Sequence, residues 1–334
     1  MPEIACLALG ATNAREARIV DRSVETFHIE PTPTKVTEFY GWLARRLLDA
    51  ADDGVEHAVI GVPGPVVTTP AGIEMGPMTN IGGGNSRLAK NAYNVNRWLR
   101  RADPGIDALP EDYLHVVNDG DLAGHAVGAR FGTTDGSTAK HRVLGALING
   151  SGVGLGVVSW DAHAGLYRRM HLPLEIGKAP YDDLSNYEQN ISGTALSECW
   201  HDVLGESGVE WVRGRDLPAN HQVWADVGNG MGRLSMMAGT MLGAEVIVPT
   251  GGVGIGAREK YQKHLDGFVE GLRELGNDAE QRMVPEIRYV PAGEEQTFEL
   301  LGASGIVREA MHEREAANPP AVPPQRLARH AVHA

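Results

Sequence analysis

The chain is poor in the residues that build several familiar kinds of site. Only two of its 334 residues are cysteine, Cys6 and Cys199, too few for a disulfide framework or a Cys-rich zinc centre. Both read as thiols of a reducing compartment. Positive charge is also scarce: 30 Lys and Arg stand against 43 Asp and Glu, a formal net charge of −13. Binding to phosphate backbones needs clustered Lys and Arg, so the balance argues against nucleic acid as a partner. Long apolar runs are missing too. The most apolar window, VLGALINGSGVGLGVVSW, is interrupted by Asn149, Ser151 and five glycines, and reads as two strands and a turn instead of a membrane span. The amino-terminal MPEIACLALG lacks the basic stretch that opens a signal peptide, so a cytoplasmic protein without a membrane partner is expected. The thirteen histidines include no His-x-x-x-His ligand pair.

Glycine is what the chain has in excess: 42 residues, where average usage near 7% predicts about 23. The excess is clustered, in GVPGP, NIGGGN, NGSGVGLG and TGGVGIG, and such clusters let backbone approach a ligand closely. The 42% hydrophobic and 22% charged content is that of a soluble globular protein, long enough for one large core or two.

Periodicity gives an α/β pattern. IACLAL is a buried strand, and ARIVD and ETFHIE are further strands closed by the Pro-Thr run 31–34. KVTEFYGWLARRLLDAA places Val36, Tyr40, Leu43, Leu47 and Ala51 on one helical face. HAVIGV is a strand entering the Pro-Gly-Pro loop 63–65, SRLAKNAYNVNRWLRR a helix, and LHVV the last strand of this half. The second half repeats the scheme, with a helix from about Asp121 and paired strands RVLGALI and LGVVSW. The long helix HQVWADVGNGMGRLSMMAGTMLGA carries Met236, Met237 and Met241 at core spacing. EVIVPTGG is a strand, REKYQKHLDGFVEGLREL a helix, EIRYV a strand and EEQTFELLGASGIVREAMHE a final helix. The Pro- and Ala-rich tail 316–334 is expected to be disordered.

Three features carry chemistry. LALGATNAR is a strand, a tight turn with Gly10 and Thr12, and a return strand. INGSGVGLGV is the same device with Gly150, Ser151, Gly152, Gly154 and Gly156, and paired hairpins of this kind can cradle phosphate oxygens with backbone N–H groups. VVNDGDLAGHA sets Asn118-Asp119-Gly120 where a strand stops and a helix starts. Turn and cap chemistry accounts for such a triplet, and so does a general base placed at a junction. VPTGGVGIG has neither the P-loop form nor the place of a dinucleotide fingerprint.

In order, these segments resemble the ROK family of sugar kinases, the glucokinase-like branch of the actin/hexokinase ATPase fold, over residues 4–313. GATNAR is similar to the family's first phosphate loop, and GVPGPVVTTPAGIEMGPMTNIGG to its sugar-side Gly-x-Pro-Gly loop and the Asn-containing segment after it. VVNDGDLAGHAVGARFG resembles the strand-Asn-Asp-helix element, INGSGVGLGV the second phosphate loop, LPLEIGK the Gly-Glu-Ile-Gly-His segment, NYEQNISGTAL the Leu-Glu-x-x-x-Ser-Gly segment and EVIVPTGGV the adenosine loop. The resemblance implies a two-lobed α/β fold, ribonuclease H-like, with a cleft between lobes. It implies ATP and Mg²⁺ as cofactors and Asp119 as the general base that takes the proton from the attacking sugar hydroxyl. Gly64, Asn80, Asn118, Glu175, Lys178 and Glu188 would line the acceptor site. Gly10, Thr12, Asn13, Gly150, Ser151, Gly152, Gly154, Gly251 and Gly252 would hold ATP.

Three departures bear on the reading. Ala8 stands where the family has an aspartate that holds Mg²⁺ through water, so no direct protein ligand to the metal is expected and the ATP phosphates would hold it. Lys178 replaces the family's histidine. APYDDLSN takes the place of the Cys-rich zinc loop, so no structural zinc is expected. The expected lobes are residues 1–118 and 119–298, with a final helix 299–315 returning to the first lobe. The expected activity is transfer of the γ-phosphate to a primary hydroxyl of a hexose or hexose-like polyol (glucose, an amino sugar or a cyclitol) by a homodimer. The alternative is a catalytically inactive sugar-binding sensor. The first strand begins at once, so a repressor with a DNA-binding domain ahead of it is not expected. A hydrolytic ATPase would leave Asn80, Glu175 and Glu188 unexplained.

Overall fold

Strand β1 (Ile4–Leu9) is buried at every residue, as a run without alternation must be when a sheet is covered on both faces. It turns at Gly10 into β2 (Asn13–Val20), which turns through Asp21 and Arg22, at φ 49° and 67°, into β3 (Ser23–Pro31). Two consecutive left-handed residues give a tight hairpin that matches strand twist. A computed structural model describes residues 2–78, 81, 84–133, 138–170, 176–204 and 214–317. Helix α1 (Val36–Asp52) buries Tyr40, Leu43 and Leu47 fully, with Val36 and Ala51 at the margin of that face. β4 (His57–Val62) follows, then a small sheet of β5 (Val66–Thr69), β6 (Gly72–Met75) and, further on, β7 (Tyr93–Asn94).

The helix expected over SRLAKNAYNVNRWLRR is two. α2 (Arg87–Lys90) is capped by Ser86, whose side chain accepts from the Ala89 N–H, and it stops at an extended Asn91. Tyr93 and Asn94 then pair with Met75 and Glu74, and the Asn94 side chain caps α3 (Val95–Ala102) by accepting from the Arg97 N–H. Asn competes for backbone partners in just this way and favours caps over helix interiors. β8 (Leu114–Asn118) completes the first sheet, whose order is β3-β2-β1-β4-β8. β1 pairs antiparallel with β2 and parallel with β4, and β4 parallel with β8.

The second half repeats this plan. After α4 (Asp119–Phe131) come β9 (Val143–Asn149), β10 (Val153–Asp161) and β11 (Leu166–Arg169), an antiparallel meander. The short α5 (Tyr187–Ile191), α6 (Gly193–Leu204) and long α7 (Val223–Leu242) precede β12 (Val246–Thr250). α8 (Gly251–Gly256), α9 (Arg258–Leu275), α10 (Asp278–Gln281) and β13 (Glu286–Ile287) follow. The sheet order is β11-β10-β9-β12-β13, the same as the first. Glycines let α7 lie close on α9: a Cβ at Gly232 would stand 2.4 Å from the Phe268 ring. Met236 and Met237 pack against this core, while Met241 is exposed instead of joining it. EIRYV pairs over only two residues, and the last helix opens as a 3₁₀ turn at Phe298–Gly302 before α11 (Ala303–Ala317). The tightening coincides with a close approach, since a Cβ on Gly302 would fall 1.9 Å from the Leu122 carbonyl oxygen. Of the tail, residues 318–334 lie outside the described residues, and Ala316 and Ala317 finish α11.

Helix α4 lies at the seam. Its Leu122 packs with Ile4, Cys6, Ala8, Val59 and Val117 of the first sheet and with Leu300, Ala303, Ile306 and Val307 at the chain's end. Its Ala123, Ala126 and Val127 pack with Leu144, Ala146 and Val158 of the second sheet. No helix among the described residues is long and apolar enough to cross a membrane.

Candidate active site

At the seam, Asn118 is the N-cap of α4. Its Oδ1 accepts from the Gly120 N–H at 2.8 Å, and its Nδ2 donates to the Gly64 carbonyl at 2.8 Å. The cap therefore also ties the β8–α4 junction to the Pro-Gly-Pro loop. Asp119, half-buried beside it, accepts from the same Gly120 N–H at 2.9 Å. Burial lifts its carboxyl to about 7, Glu299 and Asp121 push the same way, and the Gly120 N–H and Arg15 oppose them. Desolvation disfavours the charged form, and a carboxyl that titrates near neutrality is matched to proton transfer at that pH. Asn118 thus performs the turn chemistry, which leaves Asp119 free of the capping role, with its carboxyl raised toward neutrality.

The first hairpin closes with Gly10 N–H donating to the Asn13 carbonyl at 3.0 Å, and Thr32 braces it through its hydroxyl to the Gly10 carbonyl. Thr12 and Asn13 are exposed at the tip. Ala8 is buried and stands directly across the ladder from Arg15. In the second hairpin Gly150 donates to the Gly152 carbonyl at 2.9 Å, and Gly193 donates to the Gly150 carbonyl at 2.6 Å. Gly251, at φ +82°, is pressed on the backbone of Asn149, where a Cβ would meet the carbonyl oxygen at 2.7 Å. This brings Gly150 and Gly252 opposite one another: a Cβ on the first would lie 3.8 Å from the nitrogen of the second, and one on Gly252 would meet nothing within 4 Å. Ser151 and Gly154 are half-buried.

At the root of these two loops, Asn149 Oδ1 and Thr250 Oγ1 are buried without a hydrogen-bond partner. Leaving a buried polar atom unpaired costs about 1–3 kcal/mol. The Thr250 hydroxyl can donate to a phosphate oxygen, whereas Asn149 Oδ1 can only accept and would need a donor such as a water or a ligand hydroxyl.

Lys178 and Glu188 form a pair against the second hairpin. Lys178 Nζ donates to Glu188 Oε1 at 2.5 Å, and the Val153 N–H donates to Oε2 at 3.4 Å. The pair is solvent-accessible, with side chains 54% and 28% exposed, and such pairs contribute only about 0–1 kcal/mol to stability. Residues 179–186 close on themselves, with Asp182 Oδ1 accepting from the Leu184 and Ser185 N–H groups and the Ser185 hydroxyl. Asn80 and Glu175 lie outside the described residues. Among the described residues no group of three or more His, Cys, Asp or Glu is arranged to hold a metal ion.

Two contacts were not foreseen from the sequence. Glu299, on the 3₁₀ turn before α11, accepts from Arg15 with Oε2 and from the Gly251 N–H with Oε1 at 3.2 Å. His125 of α4, Glu309 of α11 and Arg169 of β11 form a second cluster, with Glu309 Oε2 2.9 Å from His125 Nε2 and 3.1 Å from Arg169 Nε. The available signal was a carboxylate inside an otherwise apolar stretch, FELLG, and a carboxylate beside Arg308 in GIVREAM, on a face that had to be buried.

No family model matches the chain, and no curated protein matches it. Solved structures do. A ROK family glucokinase from Streptomyces griseus in complex with glucose and AMPPNP is 16% identical, with 92% of this chain and 99% of that one covered at a TM-score of 0.65. A ROK hexokinase from Thermus thermophilus is 20% identical, with 93% and 99% covered at 0.61. A ROK family transcriptional regulator, a homolog of the E. coli MLC protein, is 14% identical, with 93% and 80% covered at 0.61. The chain has the two-lobed fold of these proteins.

Proposed function

We propose, from the premise that this chain has the ROK sugar-kinase fold, that it is an ATP-dependent kinase acting on a primary hydroxyl of a hexose or hexose-like polyol. The observation that carries the reading is Asp119: a carboxyl raised to about 7 and felt by Arg15 of β2, on a turn packed against β10 and beside Asn118, whose side chain is held by Gly64 and Gly120. In this reading Asp119 accepts the proton of the acceptor hydroxyl as its oxygen attacks the γ-phosphate. Asn118, Gly64, Asn80, Glu175, Lys178 and Glu188 orient the acceptor. The hairpin backbones at Gly10–Asn13 and Gly150–Gly154, with Gly251 and Gly252, receive ATP; Mg²⁺ brought with the nucleotide would supply neutralisation of phosphate charge. Positioning and electrostatics supply most of the catalysis in phosphoryl transfer, and closure of the lobes 1–118 and 119–298 over the acceptor keeps water out. The bound glucose and AMPPNP of the Streptomyces griseus glucokinase support this choice of ligands.

The sensor reading has its own observation in Ala8, which leaves the first hairpin without a carboxylate, and in the regulator that shares the fold. A coupled ADP-release screen over hexoses, amino sugars and cyclitols separates the two. Release with one acceptor and none without it establishes the kinase. Nucleotide-independent sugar binding with no ADP release from any acceptor establishes the sensor. Light scattering tests the dimer that belongs to the same proposal.

A further inference from the structure

Arg15 lies on β2 of the first sheet and Gly251 opens α8 just past β12 of the second, yet one carboxylate holds both. Glu299 is 10% exposed at its side chain and Arg15 25%, and both Glu299 oxygens are used, one by the guanidinium and one by the Gly251 N–H. Arg15 also donates to the Gln296 carbonyl at 3.4 Å, so the first hairpin is fastened at two points to the segment leading into α11. A lone buried carboxylate is expensive to keep. One that forms a charge-assisted bond on each side is instead a rigid connector.

We propose that Glu299 is a positioning residue for phosphoryl transfer, holding the first glycine hairpin through Arg15 and the β12–α8 turn through Gly251 in the one relative geometry that receives the nucleotide. The inference rests on the kinase reading. It assigns nucleotide affinity, and not acceptor affinity, to a residue whose two oxygens are taken by Arg15 and the Gly251 N–H. Its charge has a second consequence. Glu299 is, after burial itself, the largest influence raising the Asp119 carboxyl, with Asp121 adding to it and Arg15 opposing. Neutralising Glu299 removes one repulsive charge and releases an attractive one toward Asp119, so both changes lower the pH at which Asp119 ionises.

The test is Glu299→Gln in the full chain. Nucleotide affinity, read by calorimetry with a non-hydrolysable ATP analogue, is expected to fall about 10-fold or more, the usual scale for a lost bond to a charged group, with acceptor affinity unchanged. The Asp119 carboxyl, followed by carbon-detected NMR in the ligand-free protein, is expected to titrate below its wild-type midpoint, and the acid limb of the pH–rate profile to move with it. Should the single variant fail to fold, R15Q/E299Q leaves no lone buried charge and is read by nucleotide against acceptor affinity, since losing Arg15 offsets the Asp119 shift. Unchanged nucleotide affinity, or an equal loss for nucleotide and acceptor, overturns the inference, as does an unmoved Asp119 titration in the single variant. A wild-type protein that binds no nucleotide sinks the kinase reading and this inference together. Wild-type binding with an unaffected variant sinks the inference alone.

Discussion

The carboxyl of Asp119 takes up its proton at about pH 7 in the folded chain and in the ordinary aspartate range, about 3.9, when unfolded. Folding therefore favours the protonated form. The stabilisation is complete below about pH 4 and is lost as pH rises through about 7. Asp119→Asn cannot ionise, so it should be more stable than wild type at pH 8.5, by about 1–2 kcal/mol after allowing for partial exposure, and closer to wild type at pH 5.5. Urea unfolding at the two pH values measures this. The same variant should lose about 10²–10⁴-fold in kcat, the usual worth of a general base, with acceptor binding nearly intact. A variant retaining more than about a tenth of kcat removes Asp119 from that role. At Glu188 the expectation differs. Glu188→Gln frees Lys178 and removes a charged acceptor, so acceptor affinity should drop about tenfold while nucleotide affinity holds. Calorimetry with each ligand would show otherwise if Glu188 lies outside the acceptor site.

At the scale of the element, α4 is seated by glycines of both sheets as well as by its own apolar side chains. A Cβ on Gly156 of β10 would lie 1.7 Å from the Gly120 carbonyl oxygen, and one on Gly61 of β4 would lie 2.7 Å from Leu122. β10 thus presses on the turn that carries Asp119, and β4 on the Leu122 side chain of the helix that follows. Gly156→Ala must push β10 off that turn. It should cost about 2–4 kcal/mol, above the usual range for overpacking because the obstacle is backbone, and reduce kcat by displacing the base. Gly267→Ala is the contrast. It is an exposed position of α9 with nothing within 4 Å of the new methyl, and should stabilise by about 0.5–1 kcal/mol. Thermal melts of both, with turnover for the first, check the pair. The glycine clusters announced these approaches because only glycine tolerates them. The sequence reading failed at this scale where Asn91 and Asn94 interrupt an amphipathic pattern: periodicity registered the apolar face, while the side-chain caps that break the helix are local hydrogen bonds to which periodicity is blind.

Across the whole molecule, the two sheets share one strand order, antiparallel on one flank and parallel on the other. That likeness was legible as two strand–glycine turn–strand segments opening the two halves, and with it the fold. Less of the candidate site was legible. Asn118, Asp119, Gly64 and the hairpin glycines announce themselves through local motifs, each within a few residues. Arg15 and Glu299 are 284 positions apart, and no local pattern ties one to the other. Their pairing exists only once both sheets and the last helix are assembled. A protein whose lobes close over an acceptor should also release ADP slowly when no acceptor is present. A rate without acceptor equal to the rate with it would contradict the closure.

The packing of α11 has a consequence for synthesis on the ribosome. One face of the first sheet, with Ile4, Cys6, Ile19 and Val59, is covered by Leu300, Ala303, Ile306 and Val307. At translation rates of roughly 5–20 residues per second, about 10–50 s separate β4 from the segment that covers it. Through that interval the nascent amino-terminal half carries an apolar face covered only in part, by Leu122 of α4, a natural substrate for a holding chaperone. Cys6 reports on it. In the finished chain it is fully buried, and burial pushes its thiol up and out of reach. Ribosome-stalled chains ending before Phe298 should therefore alkylate at Cys6, and the released full-length protein should not.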